Sequence, residues 1–282
     1  MSESLEHLRQ WVGRQQTHHD LATAWPIAAL NATLNRQEPE PKLGQAIPLG
    51  WHWLYFLETA TADELAHDGH PKRGGFLPPV SLPRRMWAGG RIEFLQPILV
   101  GENLTRVSEI LNVEPKSGKS GDLVFVTVRH TISGNNQARV VEEHDIVYRE
   151  AAKPGAPSAP AKPAPTQPTW QQSMTPNEAM LFRYSALTFN SHRIHYDLDY
   201  CRSEEGYPGL VVHGPLQTTL LLELHRNHGT QHVKKLEYRA VSPIFHNQTL
   251  TVGGIPSADG KTVQVWTAGA QGQIAMSGTI HY

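Results

Sequence analysis

Residues 97–105 read PILVGENLT, and residues 243–251 read PIFHNQTLT. Pro, Ile, Leu and Thr coincide between the two, and Glu102 stands opposite Gln248. Nine residues can match by chance, so the sequence after each copy matters more. A turn rich in Gly or Ser comes first. Alternating apolar runs come next, at 123–128 and 145–148 after the first copy and at 262–266 and 276–282 after the second. A period of two marks strands with one buried face. The chain therefore reads as one unit made twice.

Between the copies, residues 151–169 read AAKPGAPSAPAKPAPTQPT, with six prolines and six alanines in 19 positions. Such a stretch buries too little apolar surface to offset its ordering entropy, and proline keeps it extended. It is expected to be a surface linker joining an N-terminal half, 1–150, to a C-terminal half, 170–282.

Helices are expected ahead of the strands in each half. Residues 1–35 suggest two, and WHWLYFLETAT at 51–61 suggests another with an apolar face. In the second half, Thr175-Pro176-Asn177-Glu178 has the makings of a helix start: Thr175 as cap, Pro176 in the first position and Glu178 reaching back. This helix should run to about Ala186. Another begins at His213-Gly214-Pro215 and carries Leu216, Leu220, Leu221, Leu222 and Leu224. Five leucines in nine positions exceed what a one-sided surface helix needs, so a sheet should wrap it. Turns are expected at Gly253-Gly254, Asp259-Gly260 and 269–272. The fold class is α+β.

Composition narrows the function. Twenty-five Lys+Arg against 26 Asp+Glu give a net charge of −1, and without a basic block phosphate neutralisation has no footing, so no nucleic-acid partner is expected. No apolar run approaches the ~18–20 residues of a membrane span, and the acidic, polar MSESLEHLRQ is unlike a secretory signal. Cys201 is the single cysteine, which excludes an internal disulfide framework and a Cys-rich zinc site; it reads as an inert buried thiol. The sixteen histidines are scattered. The expectation is a cytoplasmic protein with no membrane partner.

The densest chemical segment is LTFNSHRIHYD at 187–197, which has no clear helical or strand period and packs an amide, two imidazoles, a guanidinium and a carboxylate together. Loops on a rigid scaffold are where reactive groups concentrate. Shortly after comes GYPGLVVHGP at 206–215, leading into the leucine-rich helix. A buried helix starting at Gly214 offers unpaired N–H groups and a positive dipole end, suited to a thioester enolate oxygen. A neutral imidazole beside it could take a proton from water or from carbon. The bland readings are a structural histidine at 192 that only bonds the loop, aromatics at 51–56 that only pack, and a leucine stripe that is core. A metal held by His192, His195 and Asp197 is the weaker chemical alternative, and no metal is expected.

The segment from Ser185 to Asp197, with His213-Gly214, resembles the signature of MaoC-like enoyl-CoA hydratases, in the form of the type 2 3-hydroxyacyl-thioester dehydratase branch. DGHP at 68–71, GGFLPP at 74–79 and LPRRMWAGG at 82–90 match that branch's first half, so the resemblance spans nearly the whole chain. It is most similar to bacterial hydratases of 3-methylfumaryl-CoA (mesaconyl-type) or itaconyl-CoA, which make citramalyl-CoA. The resemblance implies a double hot dog, in which each half wraps an antiparallel sheet round a long helix. It also implies a hydro-lyase acting on an acyl-CoA without cofactor, CoA being part of the substrate.

Carried over by position, the resemblance makes His195 the catalytic histidine and Gly214 the oxyanion donor. Asn190 falls where the wider family has aspartate, His192 replaces an Asn and Arg193 a Pro. His195 would activate water while Asn190 orients it. Asp197 or His192 would fix the tautomer of His195, with His213 in support. Arg193, Arg84 and Arg85 are candidates for a substrate carboxylate or the CoA phosphates. The first half, lacking a counterpart of the 190–195 loop, would bind the acyl group. A complete site within one chain leaves homo-oligomerisation open. Alternatives are a carrier-protein 3-hydroxyacyl dehydratase of fatty-acid synthesis, a hot-dog thioesterase and a non-catalytic acyl-CoA-binding module.

Overall fold

In the computed structural model, residues 6–118, 121–150 and 162–282 are described. Most of the expected linker, 151–161, lies outside the described residues. Among the described residues, ten strands form one antiparallel sheet in the order β1-β3-β4-β5-β2-β7-β10-β9-β8-β6. The first five are β1 (Gln15–Leu21), β2 (Arg84–Phe94), β3 (Asn103–Gly118), β4 (Gly121–Gly134) and β5 (Gln137–Arg149). The second five are β6 (Trp170–Met174), β7 (Lys235–Ala240), β8 (Leu250–Pro256), β9 (Thr262–Ala268) and β10 (Ile274–His281). From either edge to the centre, the order is the same: first, third, fourth, fifth, second. The halves join where β2 pairs antiparallel with β7, Gly90 opposite Tyr238.

The short repeat is a structural repeat. Leu99 bridges Ala46, and Phe245 bridges Val211. The Ile47 N–H donates to Ile98 O at 2.8 Å, and the Val212 N–H donates to Ile244 O at 2.8 Å. Gly101 and Asn247 make the same tight turn with φ of 88° and 56°. After these matching bonds the halves part company. Val212 leads into α3 (Gly214–His228), whereas Ile47 leads into a 3-10 turn, Trp51–Leu54, that ends at Tyr55.

Among the described residues there are three longer helices: α1 (Ala24–Thr33), α2 (Glu178–Leu187) and α3. All ten residues from Leu216 to His225 are buried, so the sheet does wrap the leucine helix. Several of the polar residues among them find partners, whereas His225 Nε2 is buried without one. Thr267 Oγ1 donates to Gln217 at 2.7 Å, and Glu223 accepts from Arg36 at 2.6 Å and from the Trp51 indole at 3.0 Å.

Several expectations need correction. Gln15–Leu21, inside the expected helical region, is edge strand β1, paired with β3. The helix expected over 51–61 is only the 3-10 turn, because Trp51 turns in to Glu223 and Trp53 to Glu142, and Phe56 takes φ of 57°. The long helix implied for the first half is therefore a stub. The cap of α2 is Asn177, whose side chain accepts from the Met180 N–H, while Glu178 bonds Asn247. Gly253 and Gly254 lie inside β8, where a side chain on Gly253 would overlap the Trp266 ring.

Candidate active site

Two loops from opposite halves meet at the site. In the second half, α2 ends as Phe189 takes φ of 48° and the Asn190 N–H bonds Ser185 O at 2.8 Å. The Asn190 side-chain oxygen then accepts the His192 N–H at 3.0 Å, which turns the chain into the short helical turn Arg193–His195. In the first half, Asp68 accepts the His70 N–H at 3.0 Å, around Gly69 at φ of 85°. The loops are fastened together. The Arg193 N–H donates to Asp68 O at 2.9 Å, and Ser191 Oγ donates to Gly69 O at 2.5 Å. A Cβ on Gly69 would overlap the Ser191 carbonyl oxygen.

His195 is buried, and its Nδ1 donates to Val211 O at 2.7 Å. A backbone carbonyl therefore fixes the tautomer, not Asp197 or His192, and Nε2 carries the lone pair. The ring stacks on His213 at 3.6 Å, and His213 Nε2 bonds Ser185 Oγ at 2.8 Å. Burial pushes His195 down to about 4, against the opposing pull of the Val211 carbonyl, and burial likewise holds His213 well below the usual histidine value. Both imidazoles are neutral at pH 7.

Gly214 opens α3, so by position its N–H has no acceptor within the helix. A Cβ there would lie 2.6 Å from the Trp87 ring, which β2 brings from the first half. Asn190, His192, His195 and Gly214 line one cleft of about 2030 Å³, together with Asp68, His70, Arg84, Arg85 and Trp87. The cleft shares Asn190, Arg85, Trp87 and Pro215, among others, with an adjoining pocket of about 830 Å³. Trp53, Tyr55, Phe56, Phe182 and Phe189 line that pocket. His130, Ile132, Glu142 and His144, on β4 and β5, form its floor. In the second half α3 covers the corresponding sheet face; in the first, the helix stub leaves it open.

The three arginines part company. Arg193 pairs with Asp197 at 2.8 Å and lies over the Tyr200 ring at 4.2 Å, so it is spent outside the cleft. Arg84 reaches the cleft but pairs with Glu205. Arg85 lines both the cleft and the adjoining pocket, and its charge acts on the Tyr148 hydroxyl. Among the described residues no carboxylate pairs with it. Asp197 also caps Tyr200 N–H at 2.9 Å, so the metal alternative of His192, His195 and Asp197 is not brought together. Cys201 is buried, bonds Ile194 O and is pushed up to about 11 by burial, as an inert thiol should be.

Sequence reasoning missed Asp68 and His70. His70 Nδ1 bonds Asp68 Oδ2 at 3.1 Å, and the His70 ring packs on His192 at 4.0 Å. Burial works to raise the Asp68 carboxyl, but the hydrogen bonds from His70 overcome it and hold the acid ionised. Asp68, His70 and His192 bring donor atoms within 4.8 Å of one another. The Arg85 guanidinium acting on both rings opposes a further cation there. The signal in the sequence was two titratable residues flanking a glycine in a Gly/Pro-rich loop. Arg106 was missed too: its Nε is buried without a partner, and it lines the adjoining pocket over the Phe56 ring.

Residues 50–246 match the family model described as hydroxyacyl-thioester dehydratase type 2. The chain belongs to that family. It is an enzyme of the hydratase/dehydratase type, a lyase. A relative from Chloroflexus aurantiacus, mesaconyl-C(4)-CoA hydratase, is 42% identical over 271 residues, covering 96% of each chain. The mitochondrial hydroxyacyl-thioester dehydratase type 2 of Schizosaccharomyces pombe is 29% identical over 266 residues, covering 83% of this chain and 87% of that one. Among solved structures, a MaoC-like dehydratase superposes with a TM-score of 0.71 at 15% identity, covering 97% of this chain and 98% of that one. A Mycobacterium tuberculosis protein described as having a double hot-dog fold gives 0.58 at 13% identity, covering 95% of each. This family member is thus an α+β double hot dog, and its first half keeps the sheet while reducing the central helix to a turn. No helix among the described residues is long and apolar enough to cross a membrane.

Proposed function

We propose that this enzyme adds water across the double bond of a branched C5-dicarboxylyl-CoA, 3-methylfumaryl-CoA or itaconyl-CoA, to give citramalyl-CoA. The observation that carries the reading is one cleft holding a neutral imidazole with a free Nε2 and the first N–H of a buried helix, continuing into a pocket with an unpaired guanidinium. On the conjugated ester, 3-methylfumaryl-CoA, into which the double bond of itaconyl-CoA would first have to shift, His195 Nε2 takes a proton from water while the water oxygen bonds the β-carbon. The π pair moves onto the thioester oxygen, which the Gly214 N–H holds. As the enolate collapses, the α-carbon takes the proton back from His195. Water is consumed whole, and the enzyme returns to its starting state. Asn190, whose oxygen is bound to the His192 N–H, holds the water through its NH₂ group.

Arg85 is the partner for the free carboxylate, because Arg193 and Arg84 are already paired. A planar guanidinium binds a carboxylate in bidentate fashion. In this reading the half before the linker, 1–150, cradles the acyl group, and residues 170–282 supply His195 and Gly214. The Chloroflexus relative's name supports the substrate class. The test is a panel of enoyl-CoA esters, following loss of the conjugated thioester absorbance and identifying products by mass. Arg85→Gln should cut kcat/KM for the dicarboxylyl ester by at least about tenfold more than for crotonyl-CoA, the loss of a charge-assisted pair being ~1.5–3 kcal/mol. An equal loss on both esters would count against carboxylate recognition.

A further inference from the structure

Proton transfer from water makes an imidazolium at His195, in a place with little to welcome it. His213 stacks on one side, His192 stands edge-on at 5.6 Å, and His70 packs on His192. The Arg85 guanidinium adds a positive charge facing both His70 and His192, and Arg73 another facing His70. On the same loop, Asn190 carries an amide that cannot be ionised. Asp197, two residues beyond His195, is tied to Arg193.

One carboxylate does face this array, and it comes from the other half. Asp68 lines the same cleft, bonds His70 Nδ1 at 3.1 Å and acts electrostatically on His192. Its loop is fixed against the 191–193 loop by the Arg193–Asp68 and Ser191–Gly69 bonds. We propose that Asp68, acting through His70 and His192, is the positioning carboxylate of the proton-transfer array, supplying across the halves the negative charge that Asn190 lacks. Asp68 accepts no proton from the substrate. Its fixed negative charge offsets the imidazolium formed when water gives its proton to His195, and its bond to Nδ1 holds the His70 ring against His192. The site is then complete only when both halves are present, which gives the first half a part in the chemistry beyond holding the acyl group.

This inference rests on the hydration reading, and the two can fail separately. The measurement is steady-state hydration by full-length Asp68→Asn, Asp68→Glu and His192→Gln, and by the Asp68→Asn/His192→Gln double variant, each with a thermal melt. The ester is whichever one the unmodified enzyme turns over. Asp68→Asn should lower kcat about 10²-fold with KM within about threefold, a loss in the range of general acid–base groups. Removing a negative charge also lowers imidazole basicity, so the acid limb of kcat should move to lower pH, which a packing defect alone would not do. Asp68→Glu should recover part of the rate. The double variant should be little worse than the poorer single one, since both act along one array. Unchanged kcat and limb in a folded Asp68→Asn, or additive losses in the double variant, would overturn the role of Asp68. If Asp68→Asn does not fold, Asp68→Glu and His192→Gln carry the test: a kcat loss in His192→Gln with an unmoved acid limb would overturn it. Absence of hydration by the unmodified enzyme would instead sink the hydration reading.

Discussion

At His195 the decisive atom is Nδ1. Bound to the Val211 carbonyl, it fixes the tautomer without any acid and leaves the lone pair on Nε2. His195→Ala should lower hydration by ~10²–10⁴-fold with the circular dichroism spectrum unchanged; activity retained within about tenfold would remove His195 from the chemistry. Burial has a second consequence. His195 titrates near 4 in the folded chain, against 6.5 for a free histidine, and His192 and His213 are likewise depressed, chiefly by burial. As pH falls below about 6.5, the unfolded chain binds protons that the folded chain refuses. Stability should therefore be full above about pH 6.5 and be lost progressively toward pH 4. Thermal melts across that window check this; a flat Tm would mean these imidazoles are not buried in solution.

At the scale of the element, α3 is the scaffold. It sets Gly214 at the cleft and is wrapped by the sheet, so truncating one of its buried leucines leaves a cavity no neighbour can fill. Leu220→Ala should cost ~2–5 kcal/mol, read from urea unfolding. The 3-10 turn Trp51–Leu54 stands at the same point of the first half. Its aromatics resemble a helix face in the sequence because burial selects apolar residues whatever the backbone does. Polar partners at a distance, Glu223 for Trp51 and Glu142 for Trp53, decide how they turn. The Gly253-Gly254 pair misleads for a similar reason. Adjacent glycines suit a turn, yet here Gly253 makes room for Trp266 and Gly254 lies against Leu224 and Trp170, within a strand.

At the scale of the molecule, the two five-stranded halves are one sheet through β2 and β7. Gly90 sits at that seam, where a Cβ would come 2.5 Å from the Tyr238 hydroxyl and 2.9 Å from its ring. Gly90→Val should cost ~1–3 kcal/mol by overpacking and lower Tm in a single transition followed by tryptophan fluorescence. Separate unfolding of the halves would show that the seam does not couple them. The duplication, the wrapped leucine helix, the α+β class and the 187–197 loop were all legible in the chain, because alternation, leucine density and local motifs are properties of neighbours in sequence. Which of Arg84, Arg85 and Arg193 remained unpaired, what fixed the His195 tautomer and which carboxylate faced the histidines were not. Each depends on groups brought together from distant positions, Asp68 with His192 and Arg84 with Glu205. A hydrogen bond or an ion pair between such groups is set by the folded path of the backbone, and nothing in their local sequence encodes it.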